Sequence, residues 1–290
     1  INGICAKVLQ YYGYRTGKTP HQLLNDEKRI TGILAEIYQR VERVYPTDGD
    51  LKNIRTLITY IKNMMLGEDE IEALNEEAEC KISVIYREYC SKLKELQMID
   101  YDDQMVYAYV MLKKIPWLLA YFQELYPYIC VDEAQDTSKI QHAIIALLAA
   151  RTENLFMVGD EDQSIYGFRA AYPEALLEFE QRHRGAKVLL MEENFRSDAN
   201  IVAAADHFIQ KNTLRHEKHM RASRESVQQI KEIPVGTRKA QYAYLAKVAE
   251  GCTTETAVLY REHECALPLI DLLERQGMAY RCRQMDDTFF

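Results

Sequence analysis

Apolar residues recur every three or four positions across LLNDEKRITGILAEIYQRVERVY and IEALNEEAECKISVIYREYCSKLKEL, the period of helices with one buried face. The pattern predicts helices for the first hundred or so residues. They are interrupted at TDGD, residues 47–50, where turn formers offer a break and an N-cap. From about Leu125 the rhythm changes. Short apolar runs now alternate with amphipathic stretches: YPYICVDE before IQHAIIALLAA, NLFMVGD before PEALLEFEQRH, and KVLLMEE before SDANIVAAADHFIQ. TAVLYRE, CALPLIDLLERQG and AYRCR continue the alternation. This order predicts an α/β protein with parallel sheets and helices packed on their faces. Ser197 is expected to cap a helix and Gly277 to stop one. No internal repeat or low-complexity tract is present.

At 290 residues the chain can form two compact domains. Its 48% hydrophobic and 28% charged residues exclude disorder as a global description. No apolar run is long enough to span a bilayer, and INGICAKVLQ has neither a signal-peptide nor a transit-peptide pattern. No membrane association is expected, and the expected location is the cytoplasm. The absence of an initial Met suggests a piece of a longer protein. Seven cysteines are scattered, odd in number and without a CxxC pair, which argues against a disulfide framework or a zinc module and for a reducing compartment. Cys130, inside an apolar run, is expected to be a small buried thiol.

The net charge of −8 by itself argues against a nucleic-acid binder. Residues 181–240 nevertheless hold 12 Lys and Arg against 7 Asp and Glu, while EDEIEALNEEAE (Glu68–Glu79) is strongly acidic. Such mixtures are also the ordinary composition of solvated helical faces, so charge alone decides nothing.

Three segments carry candidate chemistry. In YICVDEAQD, apolar residues lead into Asp132 and Glu133, placing both carboxylates at the C-terminal end of a strand, where open α/β sheets bind ligands. An acidic pair there suits Mg²⁺ on a nucleotide and a water aimed at a γ-phosphate. Asp132 could equally do no more than cap the following turn. MVGDEDQSIYGFRAA also ends a strand, in Gly159–Asp160, and then presents Gln163, Tyr166, Phe168 and Arg169. A Gln near a nucleotide can sense the γ-phosphate, and aromatic rings can stack on bases for about 1–3 kcal/mol each, whatever the sequence. Core packing is the competing role for Tyr166 and Phe168, though their spacing in a polar, Gly-containing loop argues against it. In MEENFRSDANIV, Arg196 lies between a strand and a helix start. An Arg brought from one domain onto a nucleotide held by another can be worth about 10³–10⁵ in rate. Alone, ENFRS reads as readily as a salt-bridged surface loop.

VDEAQD, GDEDQSIYGFRAA and EENFRS, in that order and spacing, closely resemble three motifs of UvrD/Rep/PcrA-type superfamily 1 DNA helicases. IDYDDQM resembles a DFDDL-like segment of the same family, AVLYREHECALPLIDLLERQGMAYRCR its later strand–helix–strand, and INGICAKVLQ the end of its TFHS-type segment. The resemblance covers nearly the whole chain and is densest between Asp100 and Asp198. It implies a RecA-like P-loop NTPase core with an all-helical insertion. Residues 1–10 and 100–186 would belong to the first core domain, 11–99 to the insertion, and 187–290 to the first half of the second core domain. It also implies ATP and Mg²⁺ as cofactors, with single-stranded DNA and its junctions with duplex as partners. Asp132 would act on Mg²⁺, Glu133 as base or water-positioning group, Gln163 on the γ-phosphate and Arg196 as the finger. Phe195 matches the family's residue stacked on adenine, and Tyr166, Phe168 and Arg169 match residues lining the single-strand path. Ala170 departs from the pattern, because the family carries Gly there.

The family's GxxxxGK[ST] phosphate loop is expected upstream of Ile1, and its later motifs beyond Phe290. Gly13-Tyr14-Arg15-Thr16-Gly17-Lys18-Thr19 has the GKT ending but only three residues between its glycines, and it follows a helix-like stretch. It therefore reads as a helix-ending loop. The parent is expected to be a 3′→5′ helicase of repair or replication, and the isolated chain to be inactive. A subunit of a recombination helicase–nuclease, or a degenerate DNA-binding or protein-binding module, are the alternatives. Incomplete core domains could leave sheet edges for a second copy or a partner to cover.

Overall fold

The computed structural model describes residues 1–165, 167, 170–183, 185–227 and 229–282. The chain divides into two compact units: Ile1–Phe195 with Val202–Ala222, and Arg196–Ile201 with the residues from Ser223 onward.

The first unit opens with α1 (Asn2–Thr16), β1 (Gln22–Leu23), α2 (Glu27–Glu42), α3 (Asp48–Met64), α4 (Glu68–Glu77), α5 (Ile82–Glu95) and β2 (Met98–Ile99). Helix starts follow the polar residues that precede them. Asp26 accepts from the backbone of Lys28 and Arg29 ahead of α2, and Thr47 forms a capping box with Asp50 ahead of α3, each removing orphaned N–H donors. The break expected at TDGD is thus the start of α3. Leu34, Ile54, Ile58, Ile61, Ile82 and Ile85, nearly all within helical periods, form one core between α2, α3 and α5. Each such side chain contributes about 1.5–3 kcal/mol by leaving water. The chain enters and leaves this helical group side by side: β1 pairs in parallel with β2, and Leu24 N donates to Ile99 O at 2.8 Å.

A second core of the same unit joins α1 to α6 (Tyr101–Lys114), α7 (Pro116–Leu125) and α8 (Lys139–Ala149), through Cys5, Val8, Ala108, Leu112, Phe122 and Ile144. α1 ends with Gly17 in the left-handed conformation, φ 71°, so Thr16-Gly17-Lys18-Thr19 terminates a helix, as its sequence context suggested. β3 (Ile129–Val131) and β4 (Leu155–Met157) pair in parallel. Ile129, Val131, Leu155 and Met157 are half-buried, while Cys130 and Phe156 are exposed. Cys130 is therefore not the buried thiol expected: the pair is covered on one face only, and alternation puts it on the other. Short helices α9 (Glu174–Leu177) and α10 (Phe179–Arg182) complete this part.

β5 (Glu193–Asp198), α11 (Ala199–Ile209) and β6 (Arg221–Arg224) lie where the chain passes between units. Ser197 belongs to β5 and α11 begins at Ala199, so Ser197 is not at the helix boundary expected of it. In the second unit α12 (Arg238–Glu250) packs on α13 (Leu267–Arg275), with Ala246 and Leu269 buried. Gly277, at φ 66°, donates to Glu274 O at 3.0 Å just after α13, the stop expected of it. Residues 187–192 and 256–260, read as strands, join no sheet, and Leu189 and Leu259 are largely exposed. An apolar run becomes a strand only where a neighbour completes its ladder.

Candidate functional site

The parallel register of β3 and β4, Val131 opposite Met157, brings both strand ends to one edge. Val158 N donates to Val131 O at 2.8 Å, and Ala134 N donates to Val158 O at 3.0 Å. Asp132–Glu133 and Gly159–Asp160 therefore emerge as neighbouring turns. Glu133 sits at φ 50°, ψ 44°, a left-handed conformation that costs an L residue about 1–2 kcal/mol. Strain of this kind persists only where surrounding bonds over-determine it. Here Gln135 does so. Only 2% exposed, it donates from Nε2 to Glu133 Oε2 at 2.7 Å and accepts the Asp160 N–H at Oε1, 3.0 Å away. Its backbone oxygen accepts from Ser164 Oγ at 3.2 Å. Gly159 has no room for a side chain, because a Cβ there would stand 2.8 Å from both Gln135 Oε1 and Leu176 Cδ1.

Past Gly159 the chain makes a tight turn whose three carboxylates are all claimed. Gln163 Nε2 donates to Asp160 Oδ2 at 2.6 Å, and Lys218 Nζ donates to Asp160 Oδ1 at 2.7 Å. Lys218 also lies 3.2 Å from Glu161 and 3.3 Å from Asp162. Arg215 grips both oxygens of Asp162, at 2.9 and 2.8 Å, and His216 N donates to Glu161 Oε1 at 2.8 Å. Burial pushes the Asp160 and Glu161 carboxyls up, but the bonds they accept prevail and hold both below their ordinary values. Burial likewise works against the Lys218 ammonium, and the carboxylates override it, raising its pKa. All of these groups are charged at neutral pH.

The turn after Gln135 is anchored from behind. Ser138 caps α8 and donates from Oγ to Asn63 Oδ1 at 2.9 Å, and Asn63 Nδ2 donates to Asp102 at 2.7 Å. Neighbouring Lys62, its side chain 1% exposed, sits 2.7 Å from both Asp100 and Asp103. One turn into α8, buried His142 has an Nε2 with no partner among the described residues. Burial depresses its pKa to about 4, against the opposing hydrogen bond to the Ala134 backbone.

Among the residues singled out by sequence, Asp132, Glu133 and Gln163 are all exposed and are linked within the first unit through Gln135 and Asp160. Asp132 Oδ1 accepts the Glu133 N–H at 3.0 Å, and Oδ2 accepts no hydrogen bond from a described residue. This open, hard oxygen fits Mg²⁺, which takes one or two carboxylates alongside substrate phosphates. Phe195 is 70% exposed. Arg196 opens the second unit, within β5 and not after it, and its carbonyl accepts from Arg224 Nη1 at 2.9 Å. Tyr166, Phe168 and Arg169 lie outside the described residues. Ala170 adopts φ 65° with its methyl buried, so the position where the resembled family carries Gly has a backbone glycine adopts freely. Gln135, Arg215 and Lys218 were not singled out by sequence, and Gly159 was read only as the end of a strand. Gln135 lay unread inside VDEAQD, and the two cations were submerged in a generally basic stretch.

An acidic pair and a glutamine at the C-terminal edge of parallel strands place the chain among α/β proteins that bind ligands at that edge. Comparison with known proteins narrows this. Residues 1–184 match the UvrD/REP helicase N-terminal domain, and residues 189–290 the UvrD-like helicase C-terminal domain. The chain belongs to the UvrD/REP helicase family, whose domains imply a RecA-like P-loop fold. It is 30% identical over 287 residues to the ATP-dependent DNA helicase PcrA of Staphylococcus epidermidis, covering 97% of this chain and 39% of that protein. It is 29% identical over 292 residues to the putative ATP-dependent DNA helicase YjcD of Bacillus subtilis, covering 98% and 38%. It is 35% identical over 206 residues to a probable DNA helicase II homolog of Rickettsia felis, covering 71% and 30%. The chain spans less than two fifths of the length of each of these relatives. Among the described residues no helix is long and apolar enough to cross a membrane.

Proposed function

We propose that this chain forms part of the ATP-driven motor of a DNA helicase that moves 3′→5′ along single-stranded DNA in repair or replication. The observation that carries the reading is the left-handed Glu133, locked by Gln135 to the turn that holds Gln163. Glu133 orients or deprotonates the attacking water, and Gln163 reads the γ-phosphate. Asp132 holds Mg²⁺, which when bound offsets charge on the phosphate oxygens. Phe195 stacks on the adenine. Arg196 acts as the finger on the triphosphate, and Tyr166, Phe168 and Arg169 line the path of the single strand. Junctions of single strand and duplex are the natural substrate of such a motor, and the cytoplasm its expected place.

The helical group between Leu24 and Met98 is read as an insertion in the first core domain. Its support is the parallel pairing of β1 with β2 at its base and a core of its own. The expected boundary at residue 11 moves later on this reading, since α1 runs to Thr16 with Tyr11 and Tyr12 against the other core. The rest, from Ile1 and from about residue 100, forms the first core domain, and the chain from about residue 187 contributes to the second. The test is the full-length protein carrying Glu133→Gln. Nucleotide binding should persist while DNA-stimulated ATP turnover falls at least about 10²-fold. Normal turnover in that variant would remove Glu133 from the chemistry.

A further inference from the structure

The three consecutive carboxylates Asp160, Glu161 and Asp162 are met by one short segment, Arg215–Lys218, more than fifty residues downstream. The arrangement is too specific for a solvated charge patch. Arg215 and Lys218 have side chains only 6% and 10% exposed, and Arg215 binds Asp162 in the two-bond fork that fixes direction as well as distance. Asp160 is the hinge of the arrangement. One of its oxygens takes the Lys218 ammonium and the other takes the Gln163 amide. An accepting carboxylate on that side settles the amide's orientation, with Nε2 toward Asp160 and Oε1 away from it. Without the ammonium, an Asp160 carboxylate beside those of Glu161 and Asp162 would be repelled by both, and the amide would lose its fixed support.

We propose that Lys218 is a positioning residue for Gln163: acting through Asp160, it fixes the orientation of the amide that meets the γ-phosphate. Arg215, by holding Asp162, keeps the turn between them from opening. This rests on the nucleotide reading above. Misplacement by an ångström of a group that acts on the reacting centre costs about 10²-fold in rate, so the loss should appear in kcat and leave nucleotide capture nearly intact.

The experiment is a double-mutant cycle in the full-length protein, measuring ATP turnover at saturating single-stranded DNA with Lys218→Gln, Gln163→Ala and their combination. Lys218→Gln should lower kcat about 10- to 100-fold with KM for ATP changed less than about threefold. Lys218→Arg, which keeps the cation, should recover most of the loss. Adding Lys218→Gln to Gln163→Ala should cost nothing further, since the group it positions is already gone. A merely structural lysine would give the same fractional loss in both backgrounds, and that result overturns the proposal. So does full kcat in Lys218→Gln when Gln163→Ala is impaired. Normal turnover in Gln163→Ala overturns the nucleotide reading itself, and this inference with it. Should Lys218→Gln fail to fold, Asp160→Asn goes through the same cycle with the same deciding outcomes.

Discussion

Replacing Lys62 with Met should destabilise the first unit severely, and by an amount that depends on pH. The ammonium is enclosed, 2.7 Å from carboxylates of Asp100 and Asp103, while Tyr89 OH donates to Asp100 at 3.2 Å. At an effective dielectric constant near 20, each ion contact at such a distance is worth about 6 kcal/mol before desolvation is subtracted. Burial opposes the charge on Lys62, yet the two aspartates prevail and raise its pKa. Met keeps most of the volume and removes the charge, leaving two carboxylates facing each other in a closed site. Breaking a buried pair from one side costs about 3–5 kcal/mol.

Protonation limits that loss. Burial already raises the Asp103 carboxyl above its ordinary value with Lys62 present, and without the ammonium it rises further. A group whose folded pKa exceeds its unfolded one adds stability below the unfolded pKa, and loses it as pH climbs through the folded pKa. The penalty in Lys62→Met should therefore shrink on acidification from pH 7 to pH 5, at up to about 1.4 kcal/mol per pH unit. Urea unfolding followed by far-ultraviolet circular dichroism at the two pH values is the assay. With a slope of roughly 2–3 kcal/mol/M, the midpoint at pH 7 should fall by about 1–2 M. A shift below about 0.3 M, or one of equal size at both pH values, would refute the reasoning, because neither is compatible with stranded carboxylates.

Three other outcomes follow from the site. Gly159→Ala forces a methyl against Gln135 Oε1 and Leu176; it should cost about 1–3 kcal/mol in urea unfolding and impair ATP turnover in the full-length protein. His142→Leu removes a histidine whose pKa burial lowers to about 4. A depressed folded pKa gives stability that is present above the unfolded value near 6.5 and lost toward 4, so over that window the variant should lose up to about 3 kcal/mol less than the parent chain. Asn63→Leu strands Ser138 Oγ and takes from Asp102 one of its two side-chain donors, leaving Thr59 Oγ1 at 2.8 Å; it should cost about 1–3 kcal/mol, seen as earlier thermal melting, with faster hydrogen exchange across residues 133–141.

Much of the fold was legible because period and punctuation agreed. Thr47 and Asp50 stand before an apolar helical period and become a capping box, and Gly277 follows one and becomes its stop. Sequence failed where an element depends on a partner elsewhere. Leu189 and Leu259 lie in runs with good strand composition, but the segments around them join no ladder. Cys130 alternates correctly, yet which face of β3 is covered depends on the packing of helices, and the apolar run holds no information about that.

The site divides along the same line. Asp132, Glu133 and Gln163 could be read because strand, turn and carboxylate are adjacent in the chain. The left-handed Glu133 could not, since a Glu carries no mark of positive φ and its conformation is imposed by Gln135 and the Val158 carbonyl. Glycine at 159 is explained only by the atoms that crowd it, and those come from two other places in the sequence, Ala134–Gln135 and Leu176. Lys218 is the clearest case. Among 12 basic residues between 181 and 240 nothing local distinguishes it, and its meaning arises from a turn of three acids more than fifty residues away. Exposed chemistry can be recognised from neighbours in sequence, whereas the buried bonds that aim it join distant segments. A substitution at Asn63, Gly159 or Lys218 would thus pass unremarked beside one at Glu133, although each removes a support of the turns that carry Glu133 and Gln163.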